Sequence, residues 1–318
     1  MTTRRRRGRL PSLLLLLLAA LSLPPAADAQ DAGGRLDPKP RVAVISAFAP
    51  ELKVFAARTE AERTVSANGV EFTLSRLAGE VIVLFLSGVS MVNAAMTTQL
   101  ALDRFDVRAI VFSGIAGGVN PELHIGDVVV PERWGQYLES AFARETGPGT
   151  YAIPPFLSEP PYANYGMMFP QPVNVRSAEK PEGEERFWFE ADAGMIEAAR
   201  GLADTLRLRR CAAQDNCLGR DPLFRVGGEG VSGQAFVDNK AFREHVFATF
   251  GADVLDMESA AVAHVASANA TPLIVFRSLS DLAGGGEAAN EMGTFLQLAA
   301  DNSADAVAAF LAAWSPAP

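Results

Sequence analysis

The chain has 318 residues, of which 49% are apolar, and a formal net charge of −9 at pH 7. This length suits one large α/β domain or two small ones with a substantial core. We find no basic stripe outside the extreme N-terminus, so we expect no nucleic-acid partner. The three histidines are scattered, and no Cys/His cluster has the spacing of metal ligands, so we expect neither a metal nor another cofactor.

The first 29 residues have the pattern of a secretory signal. Four arginines, Arg4–Arg7, precede an apolar run that ends at Leu23, and Ala27-Asp28-Ala29 follows. A basic segment, a short apolar core and an A-x-A site are typical of a cleaved signal peptide. The apolar run is too short for a stable membrane span. We therefore expect cleavage after Ala29, export to a bacterial periplasm and no stable membrane insertion of the mature chain.

Export bears on the two cysteines, Cys211 and Cys217, which lie six positions apart in a polar segment. Disulfides form and persist in oxidising compartments, so we expect these two to be bonded to each other. The alternative is a pair of free thiols. Their spacing excludes a redox C-x-x-C motif.

The first half of the chain alternates strands with helices. Residues 30–40 form a polar linker, and we expect a single domain over 41–316. Helices are predicted from Leu52 and over Met91–Phe105. Strands are predicted at Arg41–Phe48, Glu71–Leu77, Val81–Leu86, Ala109–Phe112 and Gly126–Pro131.

The second half begins with residues 144–188, which are dense in Pro, Gly and aromatic residues and show no helical or strand period. A long segment without a period is usually a functional lid or an insertion, and we interpret it so. After it we predict helices over Ala191–Leu206, from Asp238 to about Phe250 and over Glu291–Trp314, and strands at Leu223–Val226 and Ala235–Val237. The alternation favours a three-layer α/β/α fold with a central mixed, mostly parallel sheet.

The clearest unit is a predicted strand–helix–strand. Ala252–Met257 reads as a strand, Glu258–Ala268 as a helix and Pro272–Leu279 as a second strand, so the two strands should be parallel. Glu258 and Asp281 then follow the carboxyl ends of the strands. Ligands bind at that edge of an open α/β sheet, so both carboxylates can face one cleft. Taken singly, each is better explained as a capped helix or a polar strand end.

Three other segments fall at the same predicted edge. Glu51 directly follows the first strand, where it could also be an acid favoured at a helix N-terminus. The glycine run Ser113–Gly118 follows the Ala109–Phe112 strand and would let the backbone approach a ligand closely, or would simply be a tight turn. Phe236 is a candidate aromatic platform or a core residue. The literal G-x-G-x-x-G at Gly228–Gly233 does not open a helix, so we reject nicotinamide binding.

Asp256-Met257-Glu258 together with Arg277-Ser278-Leu279-Ser280-Asp281 resembles the purine nucleosidase/phosphorylase superfamily, and most closely the 5′-methylthioadenosine/S-adenosylhomocysteine nucleosidases. The resemblance implies a nucleoside phosphorylase-like fold and a purine nucleoside as the small-molecule partner. The glycine run also resembles that of the plant bark and vegetative storage proteins of this superfamily. Members of the superfamily are commonly oligomeric, so a homo-oligomer, a dimer or a trimer, is implied.

The resemblance also implies roles for individual residues. Asp281 would protonate N7 of the leaving purine, and Glu51 would activate the attacking water. Glu258 would bind the ribose hydroxyls, with Met257 packed on the sugar. The remaining matches line the site: Phe236 on the base, Val237 through its backbone, Phe48, Val89 near the 5′ substituent, and Gly117 and Ile115 in the glycine run. Ser280 and Arg277 would support Asp281.

These matches favour an exported enzyme that hydrolyses the N-ribosyl bond of methylthioadenosine, S-adenosylhomocysteine or adenosine. Two alternatives stay open. A phosphate-dependent phosphorylase is disfavoured because Ile115 replaces a serine that helps hold phosphate in phosphorolytic members, although Arg76 or Arg133 could reach a phosphate instead. The other alternative is a non-catalytic nucleoside-binding or storage-type protein.

Overall fold

The computed structural model describes residues 34–213, 216–286 and 289–314. The expected signal peptide and the first residues of the expected linker, through residue 33, lie outside these ranges. Within them, no helix is both long and apolar enough to cross a membrane. The same ranges contain no group of three or more His, Cys, Asp or Glu side chains arranged to hold a metal ion.

The described chain alternates strands and helices. The strands are β1 (Pro40–Ser46), β2 (Glu60–Ala67), β3 (Val70–Leu77), β4 (Glu80–Leu86), β5 (Asp106–Gly118), β6 (Val128–Val130), β7 (Arg133–Gln136), β8 (Ser140–Phe142), β9 (Arg144–Gly147), β10 (Thr150–Ala152), β11 (Met168–Pro170), β12 (Val173–Val175), β13 (Glu184–Arg186), β14 (Trp188–Glu190), β15 (Cys211–Ala213), β16 (Asn216–Cys217), β17 (Phe224–Val226), β18 (Glu229–Ser232), β19 (Ala252–Asp256) and β20 (Leu273–Asp281). The helices are α1 (Ala49–Ala56), α2 (Met91–Arg104), α3 (Ala193–Arg200), α4 (Lys240–Phe250), α5 (Ser259–Ala268) and α6 (Met292–Ala313).

In the described part of the chain, twelve strands form one mixed sheet in the order β14-β7-β18-β19-β5-β1-β4-β3-β2, with β20 beside β5 and β6, and β17 beside β6. The centre is parallel, because β1 pairs with β4 and β5, and β20 pairs with β5, all in parallel. One edge is antiparallel, through β4, β3 and β2.

Helices cover both faces of this sheet, which gives the three layers. Side chains of β1 alternate between the faces: Val42 and Val44 pack in the core shared with α1, α3 and α6, whereas Ala43 and Ile45 pack in the core shared with α2 and α5. A strand buried on both sides reads as a continuous apolar run, which is how β1 appears in the sequence. The predicted α/β/α fold with a mixed central sheet is confirmed.

Strand β5 is the longest in the sheet, and its course corrects two predictions. It continues through the glycine run to Gly118, so that run is strand and not a turn after a strand. It also separates β19 from β20. Strand β20 is parallel to β5, but β19 is antiparallel to its end, so the predicted parallel pairing of β19 with β20 is wrong. Gly117 nevertheless pairs with both Leu255 and Asp281, which brings the ends of the two strands to one place.

The segment 144–188 is not structureless, contrary to the sequence-based expectation. Short antiparallel pairs organise it, β9 with β10, β11 with β8 and β12 with β13, and β14 after it joins the main sheet through β7. Tyr162 packs 4.6 Å from Phe187 and 5.0 Å from Phe250, ring centre to ring centre. Strands of three or four residues are too short to leave a readable period in the sequence.

The prediction of a strand at Ala235–Val237 is wrong as well. The strand, β18, lies just upstream, inside what reads as a glycine-rich turn. Gly230 lies within β18, and a larger residue would not fit there, because an added Cβ would lie 2.6 Å from the Trp134 ring. Glycine in a strand often marks such a close approach. Helix α3 also ends at Arg200, short of the predicted Leu206.

Cys211 and Cys217 are joined by a disulfide that closes the β15–β16 hairpin. Residues next to the hairpin are anchored on α6. Arg209 pairs with Asp305 at 2.8 Å and with Asp301 at 3.1 Å, and its backbone N–H donates to the buried Asn302 side chain at 2.7 Å. The hairpin is thus tied to the helix that closes the domain.

Candidate active site

A cleft of about 160 Å³ opens where β1, β5, β19 and β20 end. All the predicted catalytic and substrate-binding residues except Arg277 line it. Its walls are Ala47, Phe48, Glu51, Val89, Ile115, Ala116, Gly117, Ala235, Phe236, Val237, Leu255, Asp256, Met257, Glu258, Ser280, Asp281 and Met292. The structure therefore brings together side chains from positions 47 to 292 of the sequence.

Glu51 lies in the first turn of α1 and is buried. Its Oε2 accepts hydrogen bonds from the N–H groups of Ala47 and Phe48, both at 3.0 Å, and its Oε1 accepts one from Ile115 N–H at 2.9 Å. Burial raises the pKa of this carboxyl, and the charge of Arg277 opposes the rise. The carboxylate is held rigidly on one wall of the cleft.

Glu258 occupies the N-cap position of α5, two residues after the end of β19. Its Oε1 accepts a 2.7 Å hydrogen bond from Ser90 N–H, and its Oε2 lies 3.8 Å from Arg277 Nη2. Burial and the negative charge of Asp256 raise the pKa of Glu258 to about 7. This carboxyl therefore changes charge near neutral pH.

Asp281 ends β20 and is buried. Ser280 Oγ donates to its Oδ2 at 2.9 Å, and Ala283 N–H donates to its Oδ1 at 2.8 Å. Burial raises the pKa of Asp281, against the effect of these two hydrogen bonds. A buried carboxyl with a raised pKa is suited to hold a proton that it can donate.

Arg277 lies beneath the cleft and does not contact Asp281, so the prediction that it supports Asp281 is wrong. It is fully buried with its guanidinium 4.2 Å from the Phe112 ring centre. Its Nε lies 2.6 Å from Asp256 Oδ2 and donates to Ser259 Oγ at 2.9 Å. Strict alternation along β20 would place Arg277 and Asp281 on the same face, but the register of β20 shifts between Leu279 and Asp281, which interrupts that alternation.

The open side of the cleft is apolar. Phe236, Val89 and Phe48 are 57%, 44% and 37% exposed, so they present free apolar surface at its mouth. Gly117 forms part of the floor, where an added Cβ would lie 3.3 Å from Asp281 Oδ1. Glycine at this position therefore keeps space free beside the Asp281 carboxylate.

Several residues that line or support the cleft were missed in the sequence. Met292 begins α6 and enters the cleft after a glycine-rich joint, and nothing in the local pattern indicates it. Ser90 contributes only a backbone N–H, which any residue type would supply. Asp256 had a readable signal, because acidic residues are favoured near the start of a helix. In the structure it accepts the N–H of Ser259, the first residue of α5, at 3.1 Å.

The arrangement is suited to acid–base chemistry on a neutral ligand. Glu51, Glu258 and Asp281 surround one cavity, and among the described residues no lysine or arginine lines it. Arg76 and Arg133, the two candidate phosphate ligands, lie elsewhere: Arg76 is 3.9 Å from Glu62, and Arg133 is 2.8 Å from Glu229. The cleft walls therefore supply no cation for a bound phosphate.

Comparison with known proteins gives consistent results. The sequence profile of the Phosphorylase superfamily matches residues 41–312. A 5′-methylthioadenosine/S-adenosylhomocysteine nucleosidase of Geobacillus kaustophilus is 32% identical over 273 residues, covering 85% of this chain and 96% of that protein. The crystal structure of the Neisseria meningitidis nucleosidase of the same name, in complex with methylthio-immucillin-A, superposes with a TM-score of 0.63 at 25% identity, covering 86% of this chain and 99% of that one. Futalosine hydrolase of Helicobacter pylori shares the fold, with a TM-score of 0.61 at 20% identity over 85% of this chain and 97% of that one. The chain belongs to the phosphorylase superfamily.

Proposed function

We propose that this protein is a purine nucleosidase that hydrolyses the N-ribosyl bond of an adenosine-type nucleoside: methylthioadenosine, S-adenosylhomocysteine or adenosine. The observation that carries the proposal is the convergence of Glu51, Glu258 and Asp281 on one cleft with an apolar mouth. The relatives named as nucleosidases support it, since their similarity extends over most of this chain.

Each carboxyl has a distinct task in this reaction. Asp281 protonates N7 so that the purine leaves as a neutral base, and general acid catalysis of this kind is typically worth 10²–10⁴-fold in rate. Glu258 accepts hydrogen bonds from the ribose hydroxyls, and its charge stabilises the oxocarbenium character that develops on the sugar. Glu51, on the opposite wall, deprotonates the attacking water. Phe236 stacks on the base, and Met257 packs on the sugar.

Water is the proposed acceptor of the ribosyl group, not phosphate. Ile115 N–H is already bonded to Glu51, and an isoleucine side chain offers an anion no hydrogen bond. A phosphate placed between Glu51 and Glu258 would also face two carboxylates with only the buried Arg277 nearby. Like charges without compensation disfavour such a complex.

The test is adenine release from methylthioadenosine and from adenosine in phosphate-free buffer, by the wild type and by Asp281→Asn. We expect wild-type turnover that does not depend on phosphate and a loss of about 10²–10⁴-fold in kcat for Asp281→Asn. Turnover only with phosphate, giving ribose 1-phosphate, would establish a phosphorylase. Tight adenine binding without any release would establish a binding or storage protein.

We further propose that the mature protein is exported and forms a homo-oligomer. The signal-like residues 1–29 support export, and so does the disulfide, because disulfides persist in oxidising compartments. Val92 and Met96 on α2 are 57% and 66% exposed, and these exposed apolar side chains support a subunit contact through α2. Export is tested by N-terminal sequencing of the protein from a periplasmic fraction, which should begin at Gln30. Oligomerisation is tested by light scattering, which should give the mass of a dimer or a trimer.

A further inference from the structure

A buried polar cluster is formed by Asp256, Ser232, Ser259 and Arg277, all within 6% of full burial. Asp256 is part of the cleft wall, and the other three side chains lie behind it. Both carboxylate oxygens of Asp256 have internal donors. Oδ1 accepts from Ser232 Oγ and from the N–H groups of Glu258, at 3.2 Å, and Ser259. Oδ2 accepts from Ser259 Oγ and pairs with Arg277 Nε. Neither oxygen is left to bind a ligand.

This cluster fixes the orientation of the Arg277 guanidinium. Asp256 and Ser259 hold its Nε edge, Ser259 Oγ also accepts from Nη2 at 2.8 Å, and the Phe112 ring lies under its plane at 4.2 Å. With these sides occupied, Nη1 is directed toward Gly114, where an added Cβ would lie 2.0 Å from it and 2.8 Å from Glu51 Oε1. Nη1 also donates to the Ile115 carbonyl oxygen at 3.5 Å, on the Glu51 side, whereas Nη2 lies 3.8 Å from Glu258 Oε2, so the guanidinium lies between the two glutamates.

We propose that Asp256 is a positioning residue that acts through Arg277: it holds the guanidinium between Glu51 and Glu258 and balances its charge, so that the ionisation of both glutamates is matched to turnover near neutral pH. The inference rests on the proposed nucleosidase function and deepens it. Asp256 touches neither base nor sugar in this scheme. Its contribution is the place and the effective charge of the cation that lies beside two of the catalytic carboxylates.

The charges around the cluster determine in which direction a change at Asp256 shifts the pKa of Glu258. Asp256 faces Arg277, Glu258 and, across the sheet, the buried Tyr137, and Glu258 faces Asp256, Arg277 and Glu51. The negative charge of Asp256 raises the pKa of Glu258, and Arg277 lowers it. Replacing Asp256 by asparagine removes the negative charge that raises the pKa of Glu258. The positive charge of Arg277, which lowers that pKa, then has no carboxylate at position 256 to balance it. Both changes favour the ionised glutamate.

The test is the pH dependence of kcat and KM for Asp256→Asn, measured on methylthioadenosine with the full mature chain. We expect kcat to fall about tenfold or more, equivalent to about 1.4 kcal/mol of barrier, because the guanidinium stays near Glu258 but loses the carboxylate that orients its Nε edge. KM should stay near the wild-type value. The acidic limb of the kcat profile should move to lower pH by about one unit.

Matched variants separate positioning from a loss of structure. Asp253→Asn removes a buried carboxylate of the same strand, 3.1 Å from Arg225 and away from the cleft, and should leave the acidic limb unchanged. Ser259→Ala keeps the Asp256 charge but removes the oxygen that holds Nε and Nη2, so kcat should fall with little movement of the limb. Asp256→Glu should restore part of the activity and the wild-type limb.

A wild-type kcat and an unmoved limb in Asp256→Asn would overturn the inference, as would an equal loss and shift in Asp253→Asn. If Asp256→Asn does not fold, Ser259→Ala with wild-type kcat overturns it. If the wild type itself shows no turnover, the proposed function fails. The inference is then decided by ¹³C NMR titration of the Glu258 carboxyl, whose signal is assigned by comparison with Glu258→Gln. A lower pKa of Glu258 in Asp256→Asn supports it, and an unchanged one refutes it.

Discussion

At the scale of single residues, the cleft concentrates buried acids whose charged forms are poorly solvated. Glu51, Glu258 and Asp281 are 3%, 6% and 3% exposed, and burial raises the pKa of each. Taking a carboxylate out of water costs free energy that hydrogen bonds recover only in part. A site arranged for acid–base chemistry should therefore lower the stability of the fold when its carboxylates are ionised.

Glu258→Gln should stabilise the protein at alkaline pH. The pKa of Glu258 rises from 4.5 to about 7 on folding, so its stabilising contribution is complete below pH 4.5 and is lost as pH rises through about 7. Glutamine keeps an oxygen for Ser90 N–H and carries no charge. At pH 8 we expect the free energy of unfolding to increase on the order of 1–3 kcal/mol, measured by urea denaturation.

The pH dependence provides the control for this prediction. The gain should shrink steadily as pH falls from 8 toward 4.5, because the wild-type carboxyl then becomes neutral as well. Glu122→Gln, at a side chain that is 80% exposed, should change little at any pH. A Glu258→Gln protein no more stable than the wild type at pH 8 would show that ionised Glu258 is well solvated or well paired.

The sequence predicted which residues reach the cleft better than it predicted their partners. Glu51, Glu258 and Asp281 could be placed because each follows a strand, and strand ends share an edge. Arg277 could not be assigned to Asp256, since that contact depends on which face of β20 meets the end of β19. The role of Asp256 was hidden for the same reason, because its partners Ser232 and Arg277 are distant in sequence.

At the scale of elements, β5 supports the site through its glycines. It runs between β1 and β20, and its residues 114–117 pass directly under the Glu51 and Asp281 carboxylates. A side chain at Gly114 or Gly117 would enter the space beside the acids and Arg277. The glycine run therefore acts by leaving room within a continuous strand, not by forming a turn.

Gly114→Ala should lower both stability and turnover. The added Cβ would lie 2.0 Å from Arg277 Nη1 and 2.8 Å from Glu51 Oε1, so both side chains must move. Overpacking of this kind typically costs about 1–3 kcal/mol. We expect a loss of that size in urea denaturation and a fall in kcat of at least about tenfold, since misplaced catalytic groups lose orientation.

Gly147→Ala is the matched control, because a Cβ at that glycine would have nothing within 4 Å. It should keep wild-type kcat and wild-type stability to within about 0.5 kcal/mol. Wild-type activity in Gly114→Ala would contradict the view that Arg277 and Glu51 need this space. Equal losses in both variants would point to a general effect of replacing glycine in a strand.

The disulfide hairpin should stabilise the domain without taking part in the reaction. Closing a loop of about seven residues restricts the unfolded chain by about 2 kcal/mol. We expect the double variant Cys211→Ser/Cys217→Ser to lose about this much free energy of unfolding and to retain its KM. Since the chain has only two cysteines, a reductant should lower wild-type stability to that of the variant and leave the variant unchanged. A reductant effect on the variant would refute this explanation.

Element boundaries were predictable where a segment is long and apolar. They were missed where a segment is short or where most of its side chains are exposed to solvent. Strand β1 and helix α2 were identified to within two residues at each end. Strand β2 escaped notice because most of its residues are exposed, so no alternation marks it. Strand β18 was hidden by glycines, and the hairpins of 144–188 by their length.

At the scale of the whole molecule, the alternation of strands and helices was sufficient to predict the layers. Every central strand carries apolar residues on both faces, and only helices on both sides bury them. The order of the strands was not predictable, because β19 and β20 are joined by one helix and yet are separated by β5. That order depends on long-range pairing, which local patterns do not encode.

The cleft is assembled from strand ends that are distant in sequence, so only the folded chain can bind a ligand there. Ligand binding should therefore stabilise the entire domain. Adenine at 100 times its Kd should add about 2.7 kcal/mol to the free energy of unfolding. For domains of about 150–250 residues, each 1 kcal/mol added to the free energy of unfolding raises Tm by about 2–4 °C, and the rise is slightly smaller for a larger domain such as this one. Differential scanning fluorimetry with saturating adenine should therefore show a rise of several degrees.

Phe236 links that stabilisation to the proposed binding mode. Its ring is 57% exposed and lines the cleft, so a stacked base would cover it, and base–aromatic stacking is worth about 1–3 kcal/mol. Phe236→Ala should keep the ligand-free Tm and lose most of the rise at the same adenine concentration. Phe156→Ala, at a ring that is 85% exposed outside the cleft, should keep the full rise. An undiminished rise in Phe236→Ala would place adenine elsewhere, because a base stacked on Phe236 cannot bind equally well without that ring.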